Sequence, residues 1–276
     1  SVYPIFRSES KENLARLLGH EENVHLHNLV VDLNPGREKQ SEEQHLTIQE
    51  TEPESTHAEN YRINSFHLGE GSPKQKFRAN MDAIYTLKAL ENQHRDATPE
   101  EQETLANYVG WGGLADAFDA EKTAWTGEYK ELKAALTEEE YAAARASTLN
   151  AHYTSPTVIR AIYEALDGMG FEKGNILEPS MGVGNFFGML PDSMLGSRLY
   201  GVELDSITGR IAQKLYPQAE IKVAGFETTD RRDFYDLAVG NVPFGNYRVS
   251  DKPYDKLGFS IHNYFFAKAL DQVRPG

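Results

Sequence analysis

The spacing of apolar residues changes once along the chain, near residue 150. In the front part, Phe77-Arg78-Ala79-Asn80 opens a stripe through Met81, Ile84, Leu87 and Leu90, spaced by three and four, which predicts one face of a helix. Thr98-Pro99-Glu100-Glu101 then offers a cap, a first-turn proline and acids near the positive helix end. The helix it starts runs through Leu105, Tyr108 and Val109 into Gly110-Trp111-Gly112-Gly113. That turn reads as a glycine-terminated helix with the indole packed back on the helical pair, and a substrate-facing loop is the alternative. Lys74, Lys76 and Arg78 read as a solvated basic face. Glu128 to Ala146 is rich in Ala and Glu and predicts a further helix with Leu132, Leu136 and Tyr141 inward. At the extreme front, Glu9 to Leu18 suits a short helix and Val24 to Leu33 a strand, before Asn34-Pro35-Gly36 breaks the chain. Arg37 to Asn60, dominated by Glu, Gln, Ser and Thr, has the composition of a solvated linker.

From Ala151 the pattern alternates between short apolar runs and helical stripes, the mark of an α/β layer. Thr154-Ser155-Pro156 caps a helix with Val158, Ile159, Ile162 and Leu166 on one face. Strands follow at Asn175–Glu178, Arg198–Asp205, Ile221–Ala224 and Tyr235–Gly240, with helices at Asn185–Leu190, Ile207–Leu215 and Ser260–Val273. The last of these strands, Asp236-Leu237-Ala238-Val239-Gly240, is continuously apolar and therefore covered on both faces. The predicted organisation is a poorly defined segment and acidic linker over 1–60, a helical region over 61–150 and an α/β domain over 151–276.

Charge and composition narrow the class. The 276 residues carry a net charge of −14, with 39% hydrophobic and 25% charged residues, ordinary for a water-soluble globular chain. No run approaches the roughly 18 apolar residues of a membrane helix, and the expected location is the cytoplasm without membrane association. The absence of cysteine excludes disulfides, thiolate metal sites and a cysteine nucleophile. No metal site is expected, because His20, His25, His27 and His57 are too irregularly spaced. The negative charge speaks against a simple nucleic-acid binder. It is concentrated in the front half, however: from His152 onward 13 Lys and Arg face 15 Asp and Glu.

Parallel strands joined by crossover helices bind ligands beyond their carboxyl ends. After the first strand stands Glu178-Pro179-Ser180-Met181-Gly182-Val183-Gly184-Asn185-Phe186, whose glycines permit close backbone approach and whose acid suits a cationic amino-acid head better than a pyrophosphate. After the second, Glu203-Leu204 sets a carboxylate where ribose hydroxyls would lie; after the third, Phe226 could lie against adenine. Together these pieces describe S-adenosylmethionine. At the fourth strand end, Asn241-Val242-Pro243-Phe244 offers an amide oxygen, a backbone carbonyl and a flat ring, enough to hold a planar ring with an exocyclic amine.

These motifs resemble those of the amino-group DNA methyltransferases that modify adenine N6, in the arrangement where cofactor motifs come first. Ala151-His152-Tyr153-Thr154-Ser155-Pro156 is similar to that family's segment before the first helix, which implies cofactor contacts at Tyr153, Thr154 and Pro156. Glu178, Pro179, Gly182, Gly184 and Phe186 match its cofactor loop. Asn241, Val242, Pro243 and Phe244 match its Asn-Pro-Pro-Tyr/Phe catalytic tetrad, with Val242 in place of the first proline. Gly225 stands where many relatives have an acid reaching the cofactor adenine, a contact that Glu227 would have to replace. Phe77-Arg78-Ala79-Asn80, Gly110-Trp111-Gly112-Gly113 and the tract from about Tyr61 resemble the large helicase-methylase proteins of plasmids, conjugative elements and phages.

The resemblance implies a Rossmann-like methyltransferase sheet preceded by a helical region and cut short at its C-terminal side. It also implies S-adenosylmethionine as cofactor, DNA with a flipped adenine as substrate, and the helicase part of the same parent protein as partner. Methylation of an RNA base or a protein glutamine is an alternative, as is a non-catalytic fragment of a mobile-element protein.

Overall fold

Serine and threonine side chains cap the start of four helices. In a computed structural model of the chain, which describes residues 58–64, 69–148 and 154–275, Ser72, Thr98 and Thr137 each accept from the amide three residues on. Gln75, Glu101 and Glu140 return the bond to complete capping boxes. They open α1 (Pro73–Gln93), α2 (Pro99–Ala106) and α4 (Glu138–Ser147), while α3 is Thr126–Ala135. The single helix expected over Glu128–Ala146 is thus two. Thr137-x-x-Glu140 is a start signal, and the backbone at Leu136 turns extended to obey it, against the helix propensity of the alanines. The first helix begins four residues before Phe77, at a Ser-Pro start the apolar stripe does not reveal.

The remaining elements are α5 (Pro156–Gly168), β1 (Asn175–Glu178), α6 (Asn185–Gly188), β2 (Arg198–Glu203), α7 (Ser206–Leu215), β3 (Glu220–Val223), β4 (Leu237–Ala238), α8 (Lys252–Asp255) and α9 (Ile261–Gln272). The sheet is wholly parallel in the order β3-β2-β1-β4, a Rossmann-like half, with Glu178 opposite Gly201 and Glu203 opposite Val223. β4 is shorter than expected: Tyr235 leaves the pairing with β1 and instead bridges Val273 in parallel, its carbonyl accepting from the Arg274 amide at 2.8 Å. Val239 still donates to Leu177 at 2.9 Å, so the strand end stays fixed beside β1.

The helical layer and the sheet share one compact unit, which contains every described residue. Arg210 of α7 pairs with Glu91 of α1 at 2.9 Å and with Glu140 of α4, and Lys214 donates to the Arg95 carbonyl at 2.6 Å. Trp111, 1% exposed, meets Phe77, Tyr108 and Phe118 edge-on or tilted. The indole is a core group of the helical layer. Asn80, fully buried, holds the glycine turn: its amide donates to the Gly110 carbonyl at 2.6 Å and its oxygen accepts from Val109 at 2.8 Å. Lys74 and Arg78 are spent on Glu128 and Glu131 of α3. Tyr61 and Ile63 belong with the sheet, donating to the carbonyls of Leu215 (2.7 Å) and Gly188 (2.9 Å). The helix and strand expected before residue 34, most of the linker, the four front-end histidines and Tyr153 lie outside the described residues.

Candidate functional site

β1, β2 and β4 are neighbours and parallel, so their carboxyl ends lie on one edge of the sheet. That edge gathers Glu178, the glycine loop, Glu203 and Asn241. The loop after β1 is tied down at several points. Met181 donates to the Val202 carbonyl at 3.0 Å, and the Tyr163 hydroxyl of α5 donates to the Phe186 carbonyl at 2.7 Å. Gly184 has φ +83°, and a Cβ there would stand 2.5 Å from the Tyr216 ring. Only glycine fits both the left-handed backbone and that contact.

Glu203 accepts from the Gly182 amide with one oxygen and from the Asp205 amide with the other, both at 2.8 Å. It therefore fastens the glycine loop to the start of α7. Burial pushes its carboxyl up to about 7 in spite of those two amides, which favour the charged form. Glu178 is 2% exposed and its Oε2 has no hydrogen-bond partner. Desolvation, then the charge of Glu203, pushes its carboxyl well above the usual range. Its side chain faces Gly240, where a Cβ would lie 3.2 Å from Glu178 Cγ, so the tips of β1 and β4 touch through this acid. A buried acid with a bare oxygen next to a second acid is a place where a cation would be welcome.

At the β4 tip, Asn241 Oδ1 is also buried and without a partner. Val242 is packed in the core, which fixes the backbone there, and Pro243 is half-buried. Phe244 is 43% exposed and stacks one face on His262 of α9, with ring centres 6.0 Å apart and planes at 29°. Nothing in the sequence pattern of α9 marks out the half-buried His262.

The remaining sequence-expected residues divide. Pro179 and Phe186 are buried supports of the loop, Phe186 edge-on to Tyr163. Leu204 is exposed at the end of β2. Thr154 and Pro156 stand at the start of α5, the helix that Tyr163 fastens to the loop. Phe226 corrects its expectation: it is 2% exposed and stacked on Phe265 at 5.0 Å, a core ring rather than an open face for adenine. The apolar side of α9 claims it. Glu227 folds its carboxylate over Gly225, into the space a side chain at 225 would occupy. A cleft of about 300 Å³ between α1 and α3 is lined only by helical-layer residues such as Phe77 and Gly127, and its charges pair with one another.

No protein-family model matches the chain. Its sequence is similar to phage and viral proteins. Over 214 residues, 75% of this chain, it is 28% identical to Defense against restriction protein B of Escherichia phage P1, and it spans 8% of that protein. Over 92 residues, 33% of this chain and 24% of the relative, it is 34% identical to the type II methyltransferase M.CvrRI of Paramecium bursaria Chlorella virus XZ-6E. The chain thus spans less than a quarter of either relative. Among solved structures it overlaps a candidate class I S-adenosylmethionine-dependent methyltransferase of Listeria monocytogenes with a TM-score of 0.38 and 12% identity, over 74% of this chain and 72% of the other.

Proposed function

We propose that this chain is the cofactor-binding and catalytic part of an S-adenosylmethionine-dependent DNA methyltransferase acting on the N6 amine of adenine, within a larger helicase-methylase. The observation that carries this reading is the convergence, on one sheet edge, of a buried and a half-buried carboxyl group with a buried, unpartnered amide oxygen. The match to a viral type II methyltransferase over a third of the chain supports it.

The residues present fit the cofactor. Glu178, buried with a bare oxygen, suits the amino group of a methionine moiety, and the Gly182–Gly184 loop lets backbone amides approach closely. Glu203 keeps lone pairs after accepting its two amides, so it can still take ribose hydroxyls. Glu227, lying over Gly225, suits the adenine amino group in place of the missing acid. When bound, S-adenosylmethionine supplies an electrophilic methyl group on a sulfonium.

The protein's own part is to hold the target amine. Asn241 Oδ1 and the Val242 carbonyl accept its two hydrogens, which keeps the nitrogen lone pair free of both bonds. Phe244, backed by His262 on one face, offers the other to the flat ring of a base rotated out of the duplex. The expected test result is N6-methyladenine in digested DNA after incubation with the chain and labelled S-adenosylmethionine. Cofactor binding without label in DNA, or label in another base, would overturn the reading.

A further inference from the structure

Arg248, Lys252 and Lys256 follow the Asn241–Phe244 tip within a dozen residues, and each is exposed. None has an ion-pair partner among the described residues. Nearby Arg231, Arg232, Lys268 and Arg274, by contrast, each pair with a carboxylate. Of the two acids in the same segment, Asp251 is turned inward and Asp255 is exposed. Asp251 accepts from Lys268 Nζ at 2.6 Å and from the Tyr264 hydroxyl at 2.7 Å, both on α9, and the side chains of the Lys268–Asp251 pair are 5% and 9% exposed. Asp255 accepts from the Asp251 amide at 2.8 Å. Tyr254 is buried and donates to Asp271 at 2.7 Å. The segment is therefore bolted to α9 through Asp251 and Tyr254, which leaves three exposed cations against one exposed acid, Asp255. Close by in the chain Tyr247, 46% exposed, lies over Gly245, the residue that follows Phe244.

Resting on the reading of the site as a DNA methyltransferase, we infer that residues 244–256 form an arm that grips the phosphate backbone of the DNA strand carrying the target base. Arg248, Lys252 and Lys256 contact phosphates, and Tyr247 stacks on a base next to the one held by Phe244. Backbone charge supplies sequence-independent affinity, and an exposed ring beside it tolerates any base. The arm gives the acidic chain a local positive surface at the one place where DNA has to arrive.

The test is a salt series. Binding of the 276-residue chain to a fluorescent single-stranded DNA and to the matching duplex is measured between about 50 and 200 mM salt. The R248Q/K252Q/K256Q variant is expected to bind at least tenfold more weakly at the lowest salt. Its slope of log K against log salt should be shallower by about 2 to 3, at roughly 0.7 to 0.9 for each phosphate no longer neutralised. S-adenosylmethionine binding by calorimetry and the melting temperature should match wild type, and K252R/K256R should bind DNA normally. A triple variant with the wild-type slope overturns the arm, as does an equal loss from K173Q/R198Q, or wild-type binding that is absent or tighter for RNA of the same sequence. The two proposals fail separately. Salt-dependent DNA binding through these cations without N6-methyladenine sinks the methyltransferase reading alone, and methylation with an unchanged slope sinks the arm alone.

Discussion

Glu203, at the end of β2, and Gly182, in the loop after β1, are joined by a 2.8 Å hydrogen bond from amide to carboxylate. This acid is a brace for the glycine loop as much as a ligand group, and it is held in place from behind. The Asp205 amide takes its other oxygen, and Asp205 itself caps α7 by accepting from the Thr208 amide at 2.8 Å. Replacing Glu203 with glutamine leaves one oxygen to do the work of two. S-adenosylmethionine affinity should fall by about tenfold or more, the usual weight of a charge-assisted bond, as read by calorimetry.

The same acid makes stability depend on pH. Burial raises its folded carboxyl from 4.5 to about 7, and that of Glu178 rises as well. The folded chain then holds protons that the unfolded chain releases, so this contribution to stability is full below about 4.5 and is lost as pH climbs through 7. The ligand-free protein should melt at progressively lower temperature between about pH 5 and 8, with a flatter profile in Glu203→Gln. S-adenosylmethionine affinity should rise over the same interval, because its cation favours the ionised acids.

Asn241→Ala should abolish methyl transfer and leave cofactor affinity within about twofold of wild type. The side-chain oxygen it removes is buried and unpartnered, so the melting temperature should not drop. Labelled transfer and calorimetry on the same preparation check both halves.

Gly184→Ala meets a left-handed backbone and the Tyr216 ring together. Gly170 has φ +82° with open space where a Cβ would go, so Gly170→Ala isolates the backbone penalty of about 1 to 2 kcal/mol. Denaturant titration should find Gly184→Ala clearly worse than that control, with cofactor binding lost only at position 184.

Asn80→Ala removes the donor to Gly110 and leaves the Val109 amide without its acceptor. The expected loss is about 2 kcal/mol in denaturant unfolding. Asn80→Asp keeps the Val109 bond but faces the Gly110 carbonyl with an oxygen, and should not restore stability.

Much of this was legible in the chain. Apolar spacing separated a helical region from an α/β layer, a continuous apolar run marked the last strand as covered on both faces, and a parallel sheet directs attention to strand ends, where Glu178, Glu203 and Asn241 stand. These are local signals, set by the period of helix and strand. What the sequence could not decide depends on which surfaces meet. Phe226 reads as a ring for adenine and is covered by α9, and Glu203 reads as a ligand carboxylate while the Gly182 and Asp205 amides each occupy one of its oxygens. An acid or an aromatic ring has no role fixed by its type. Its protonation, its free lone pairs and its open faces are settled by neighbours that are distant in sequence, and only the packed structure supplies those.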